Sequence, residues 1–307
     1  MSEVQNFEEF YSSRIEPLVL EHDSNRRSSS SWSAIMFFLV FVFLFACGTA
    51  LFSDMDGKGT FWFLSLVALI FSIHQYSKAS DAYEDGFKDK VVKQIVDFVL
   101  PGNVYKPGGY MSSKLFAASC LHRERLNIGG DDFVKAQYKN IPFRASELYT
   151  STPDDDSKWP LFKGIFFAAD LGRFEGGTYI WPADDIQLGN SIADEHYRMH
   201  PIPKVYKINS GSQVFDKYYA VYSSYPAEAH TILTEEFMQR VLDFRRQLKK
   251  DFRMSFVAGR FYLTIPFEER LLETGGDLRD KSLIKEYFFT ILLYPAIINQ
   301  LRLYEYI

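Results

Sequence analysis

FRASELYTSTPDDDSKWPLFKGIFFAADLGRFEGGTYIW, residues 143–181, is the stretch whose reading decides the fold class. Phe143 to Thr150, Phe162 to Ala169 and Thr178 to Trp181 are rich in aromatic and β-branched residues, with Pro153 to Asp156 and Gly176-Gly177 between them, which is the pattern of strands separated by turns. Toward the N-terminus, Arg123 to Ile128 and Phe133 to Tyr138 add two strands around Gly129-Gly130. Toward the C-terminus, Lys204 to Ile208 and Phe215 to Tyr222 add two more. Thr234 then opens a helix: its hydroxyl can cap, Glu235 and Glu236 suit the first turn and Lys249 and Lys250 the last, while Phe237, Val241, Phe244 and Leu248 form the core stripe. Phe252 to Val257 and Arg260 to Pro266 flank Ala258-Gly259 as a hairpin, and a helix from about Ser282 to Tyr304 closes the chain. Strands followed by helices, without regular alternation, indicate α+β with a mainly antiparallel sheet and C-terminal helices.

The N-terminal part reads differently. Ser33 to Phe52, SAIMFFLVFVFLFACGTALF, is uncharged over 20 residues, about what a helix needs to cross hydrocarbon. A short polar turn, Ser53 to Thr60, leads to a second apolar run, Phe61 to Tyr76. The expectation is a transmembrane hairpin over 33–78, with spans 33–52 and 61–77. Arg26 and Arg27 before it and Lys78, Lys88, Lys90 and Lys93 after it place both termini in the cytoplasm. Residues 1–32 then form an amphipathic leader, 79–121 a helical stalk ended by Pro101-Gly102, and 122–307 the α+β domain.

Formal net charge is -5 and no basic tail is present, so nucleic acid is not expected as a partner. Two cysteines, Cys47 and Cys120, make neither a disulfide framework nor a thiolate metal site. No G-x-S-x-G, G-x-G-x-x-G or Walker sequence occurs, and no cofactor is implied.

Several stretches carry a resemblance. Lys163-Gly164-Ile165-Phe166-Phe167, Tyr219-Ala220-Val221-Tyr222-Ser223-Ser224 with Glu228-Ala229, Ile232-Leu233-Thr234 with Phe237-Met238, and Ser255-Phe256 ahead of Gly259 resemble a bacterial two-pass inner-membrane protein family catalogued only as a domain of unknown function. Tyr225, where an acid is expected, and Glu235, where proline is expected, depart from its pattern. The resemblance implies a fold and a membrane location, and carries over no catalytic residue.

Candidate chemistry is sparse. His196 and His200 stand four apart beside Glu195, as zinc ligands on a helix would, but Pro201 and Pro203 favour a loop. His22, His122 and His230 stand alone, the usual mark of a structural role. Asp131-Asp132, Asp154-Asp155-Asp156 and Asp184-Asp185 have the carboxylates for acid–base or Mg²⁺ chemistry, although each adjoins turn residues. Cys47, in Leu44-Phe45-Ala46-Cys47-Gly48, has the surroundings of a lipoprotein acylation site, with a small helix-facing residue as the preferred reading. Arg245, Arg246, Lys249, Lys250 and Arg253 crowd one helix and its exit, where a lipid or partner contact would sit. Tyr287 to Ile298 is hydrophobic all round, as a core or oligomer helix is. The leading expectation is a membrane-anchored, non-enzymatic interaction or scaffold module at the cytoplasmic face, contacting membrane lipid and a protein partner or its own copies. A membrane-anchored hydrolase using acidic loop residues, or an anionic-lipid sensor, is the alternative.

Overall fold

The structure is a computed structural model that describes residues 3–52, 58–122, 126–151, 162–184, 205–273 and 280–307. The chain divides into two compact units, one of residues 1–95 with 273–288, the other of 96–272 with 289–307.

In the first unit, α1 (Glu3–Phe10) passes through a π-helical turn, Tyr11–Ile15, into α2 (Glu16–Phe52), which packs along α3 (Lys58–Phe87). Phe7, Phe10, Tyr11, Ile15 and Val19 are buried. Phe7 meets Phe288 at 5.2 Å between ring centroids, and Phe87 meets Tyr287 at 5.8 Å. The buried Lys88 ammonium is paired with Glu273 at 3.3 Å. α3 continues through a second π-helical turn into α4 (Lys93–Val99).

Among the described residues, no helix is long and apolar enough to cross a membrane. The transmembrane hairpin expected over 33–52 and 61–77 is corrected accordingly, and with it the inner-membrane location and the orientation argued from flanking cations. The apolar stretches are those around Phe37 on α2 and Phe63 on α3. Both belong to longer helices that also carry charged residues, such as Glu16, Asp23 and Arg26 on α2. On these stretches Phe37, Phe38, Phe41, Phe63, Ile70 and Phe71 are exposed.

Among the described residues, the second unit is built on nine antiparallel strands: β1 (Val104–Lys106), β2 (Asn127–Tyr138), β3 (Ile141–Ser151), β4 (Phe162–Asp170), β5 (Gly177–Pro182), β6 (Tyr206–Ile208), β7 (Tyr219–Ser223), β8 (Arg253–Val257) and β9 (Arg260–Pro266). They lie in the order β1-β2-β3-β4-β9-β8-β5-β7-β6. Short helices α5 (Ser113–Ala118), α6 (Gln213–Asp216) and α7 (Pro226–Ile232) accompany the sheet, followed by α8 (Glu235–Leu248) and α9 (Lys281–Gln300). Period-two alternation divides the buried side chains between two faces. One face carries Leu148, Phe166, Ala168, Tyr179, Trp181 and Tyr262 against Phe116, Cys120 and Leu121 of the α5 segment. On the other, Phe256 meets Phe237 of α8 at 5.9 Å, and Phe143 meets Tyr294 of α9 at 6.4 Å. The apolar run Tyr287 to Ile298 lies in α9, where Ile291, Tyr294, Ile297 and Ile298 are buried.

Several local expectations change. Gly129-Gly130 is not a turn but lies inside β2, because side chains there would collide: a Cβ on Gly129 would stand 2.4 Å from the Tyr149 ring, and one on Gly130 2.2 Å from the Glu147 carbonyl. Phe215 to Tyr222 is not one strand. The Ser212 hydroxyl accepts from Phe215 N at 3.3 Å and caps α6, so β7 starts only at Tyr219. Thr234 caps α8 as expected, accepting from Phe237 N at 3.1 Å.

Candidate functional site

His196, His200 and Asp154 to Asp156 lie outside the described residues, as does Asp185, while Asp184 is exposed. Cys47 is half-buried, and its sulfur accepts from Trp62 Nε1 at 3.3 Å. The cations of α8 are dispersed. Arg245 pairs with Asp251 at 2.5 Å and stacks on Tyr218, Arg246 pairs with Asp243, and Lys250 sits 4.9 Å from the centre of the Phe267 ring. Lys249 ends the helix in a left-handed conformation. Arg253 leaves this group and points to the α5 face of the sheet.

The Asp131-Asp132 pair is not in a turn. It sits at the β-bulge between Asp131 and Val134, where Asp132 takes a positive φ of 55° and is buried. Across the strand pair the bulge meets Glu147, and ligand atoms of Asp131, Asp132 and Glu147 all lie within 4.8 Å of one another. Tyr105 donates to Asp132 at 2.5 Å, and Glu147 accepts from the backbone N–H of Leu271 at 2.8 Å. Asp132 thereby ties β2 to β1, and Glu147 ties β3 to the chain after β9. Burial and the neighbouring Asp132 charge push the Tyr105 hydroxyl far above its ordinary range, so it stays a donor.

A different group forms where α5 ends. Ser112 caps α5 by accepting from Leu115 N, and the helix stops at Cys120, which takes a φ of 54°. That turn lays His122 against Phe116 and Phe162, with ring centroids 5.1 and 4.9 Å away. Ser255 of β8 donates to the Ser119 carbonyl at 2.6 Å, which pins the turn to the sheet. Two residues earlier on the same strand, Arg253 donates from Nη1 to the Leu121 carbonyl at 3.2 Å and to His122 Nδ1 at 3.0 Å. Its guanidinium carbon lies 5.9 Å from the centre of the Trp181 ring.

This contact decides the tautomer. A guanidinium has no lone pair to offer, so Nδ1 must accept and the proton of the neutral ring must sit on Nε2. Burial, with the Arg253 charge beside it, lowers the His122 pKa to about 3, so the ring is neutral at physiological pH. Nε2–H is therefore a donor, yet it is buried and meets no acceptor among the described residues. Trp181 Nε1–H, which can only donate, likewise meets no acceptor among the described residues, on a side chain 2% exposed. Each unanswered buried N–H costs about 1–3 kcal/mol. Close by, burial pushes the Cys120 thiol up to about 12, which keeps it un-ionised. Tyr179 belongs to the same cluster as Trp181 and Cys120, whereas Tyr219 packs with Phe252 on the opposite face.

Reading the sequence missed this group. His122 is recognised there only as a lone histidine, and Trp181 only as a strand residue. Nothing local links them, because Arg253 comes 131 residues after His122.

Residues 160–303 match the family described as Protein of unknown function (DUF3137). All the motifs that carry the family resemblance fall within that span. No curated protein and no solved structure matches the chain.

Proposed function

We propose that this chain is a non-enzymatic binding module whose sheet unit receives a ligand at His122, Trp181 and Arg253. The observation that carries this reading is the two buried N–H groups, His122 Nε2 and Trp181 Nε1, that face no acceptor among the described residues in a fold otherwise rich in partnered polar groups. A ligand that supplies acceptors removes that cost on binding, and an aromatic surround with a few placed polar groups is how small-molecule sites are built. The chemistry points away from turnover. His122 uses Nδ1 on Arg253 and carries its proton on Nε2, so it has no free lone pair for a general base, and Cys120 is not a thiolate.

Native mass spectrometry of the purified chain tests this. The wild type should carry a retained small-molecule mass that is lost in Trp181→Phe, which keeps the ring and removes the N–H. Equal masses in the two proteins, with no ligand on either, would overturn the reading.

A second reading follows from one end of the sheet. Tyr206 on edge strand β6, Val214 on α6 and Tyr225 at the start of α7 are 47%, 63% and 58% exposed. β6 pairs with β7 and packs with α7, so these apolar groups gather at one edge, where a protein partner or a second copy would be held by side chains.

A further inference from the structure

We infer that copies of this chain associate through the pair of helices α2 and α3, the outer stripe of α2 on one copy packing against the outer stripe of α3 on the next. None of the residues of the candidate ligand site takes part. Among the described residues, Phe37, Phe38, Phe41 and Phe45 of α2 are 62–71% exposed, and Phe63 and Phe71 of α3 are 58% and 56% exposed. At roughly 150–250 Å² for an aromatic side chain, these six rings leave on the order of 700 Å² uncovered. Leu44, Val67 and Ile70, also exposed, carry the surface past the roughly 800 Å² that each partner gives to a stable complex. An apolar patch larger than a few hundred Å² marks an interaction surface.

The chemistry and the placement of this surface select a second copy as its cover. No charged residue stands between Ile35 and Phe45 or between Trp62 and Ile73, so the surface has no ion pair to offer a partner of different chemistry, whereas it matches its own composition. Interfaces between identical subunits are the more apolar kind. Phe43 and Cys47, one turn apart on α2, face α3: the Phe43 ring centroid is 6.2 Å from that of Trp62, and Cys47 Sγ accepts from Trp62 Nε1 at 3.3 Å. At about 3.6 residues per turn, Phe37, Phe41 and Phe45 stand about 100° or more around α2 from that line. On α3 the buried Ser65 and Ser72 mark the inner line, and Phe63, Val67 and Ile70 stand about 150° or more from it. The two stripes therefore lie on opposite outer sides of the helix pair. A two-fold contact through either stripe would leave the other bare, whereas α2 of one copy against α3 of the next covers both. Such a heterologous contact builds assemblies of more than two copies.

The test is a photoreactive residue in place of Phe41 in the full-length chain, irradiated in the cells that express it, with the adducts sized and their crosslinked peptides mapped by mass spectrometry. The expected result is adducts at two and more times the mass of the chain, with the crosslink falling on α3 of the neighbouring copy around Phe63 to Ile70. Placing Asp at both Phe63 and Ile70 should lower the yield about tenfold or more, because a charge would then have to be buried in the contact without a partner. Both positions are exposed, and circular dichroism of the double variant checks that its helices persist. The mapped peptide needs no second substitution, so a double variant that fails to fold does not decide the matter. A yield of chain-to-chain adduct no higher than from the exposed polar position Gln239 would overturn the inference. So would adducts formed only with lipid or with a different protein, crosslinks that fall only on α2 of the second copy, or a yield unmoved in the folded double variant.

Discussion

His122 is kept neutral by its place against Phe116, Phe162 and Arg253, and its neutrality has a measurable consequence for stability. The unfolded chain titrates this ring near the ordinary histidine value of about 6.5, whereas the folded chain resists protonation down to about 3. Above that upper value the ring is neutral in both states and pH has no effect through it. Below it, the unfolded state binds a proton that the folded state refuses, so stability falls as pH drops through the window and stops falling near the folded value. With the ring only half-buried, the loss between pH 6.5 and pH 4 should be about 1–3 kcal/mol. Urea unfolding of the wild type and of His122→Phe at both pH values isolates it, because phenylalanine preserves the stacking and removes the titration. Identical pH slopes would show that His122 is not held neutral.

At the scale of elements, the sheet depends on close strand approach at particular positions. Gly164 of β4 has a φ of 151°, and a Cβ there would stand 2.0 Å from the Ile265 carbonyl on β9. Neither strand can yield easily, since Gly164 is paired with Pro266 and the Phe267 N–H donates to the Lys163 carbonyl at 2.9 Å. Gly164→Ala should therefore cost about 3 kcal/mol or more, read as a shift in the urea midpoint, because strain and overpacking act together. A cost below about 1 kcal/mol would mean that β4 and β9 can separate locally. The bulge of β2 is a second such device. It turns Asp132 inward to Tyr105 and sets it beside Glu147, an arrangement that a regular strand would prevent by pointing neighbouring side chains to opposite faces.

At the scale of the whole molecule, the exposed groups at the β6 edge bear on association. A photoreactive residue placed at Tyr206 should crosslink to a second copy or to another protein, and Val214→Glu should abolish the crosslink. A crosslink yield at Tyr206 no higher than at an exposed polar control such as Gln239 would remove the edge as an interface. The candidate ligand site belongs to this scale as well, since α5, β5 and β8 each supply part of it.

The sequence by itself determined the α+β class, the antiparallel pairing, the hairpin at Ala258-Gly259 and the capped helix from Thr234. These follow from strand spacing, turn residues and capping groups, all of which act within a few residues. It also located the two N-terminal helices, but by reading apolar length as a membrane span it assigned them a role the described helices do not bear out. Only the tertiary structure decided the rest. Strand order is set by packing between distant segments, Gly129-Gly130 of β2 answer to Tyr149 and Glu147 across the strand pair, and the Arg253–His122 contact fixes a proton on Nε2 from 131 residues away. A titratable group takes its charge and hydrogen-bonding role from what surrounds it in space, and for His122 and Trp181 those surroundings come from strands and helices far apart in the chain.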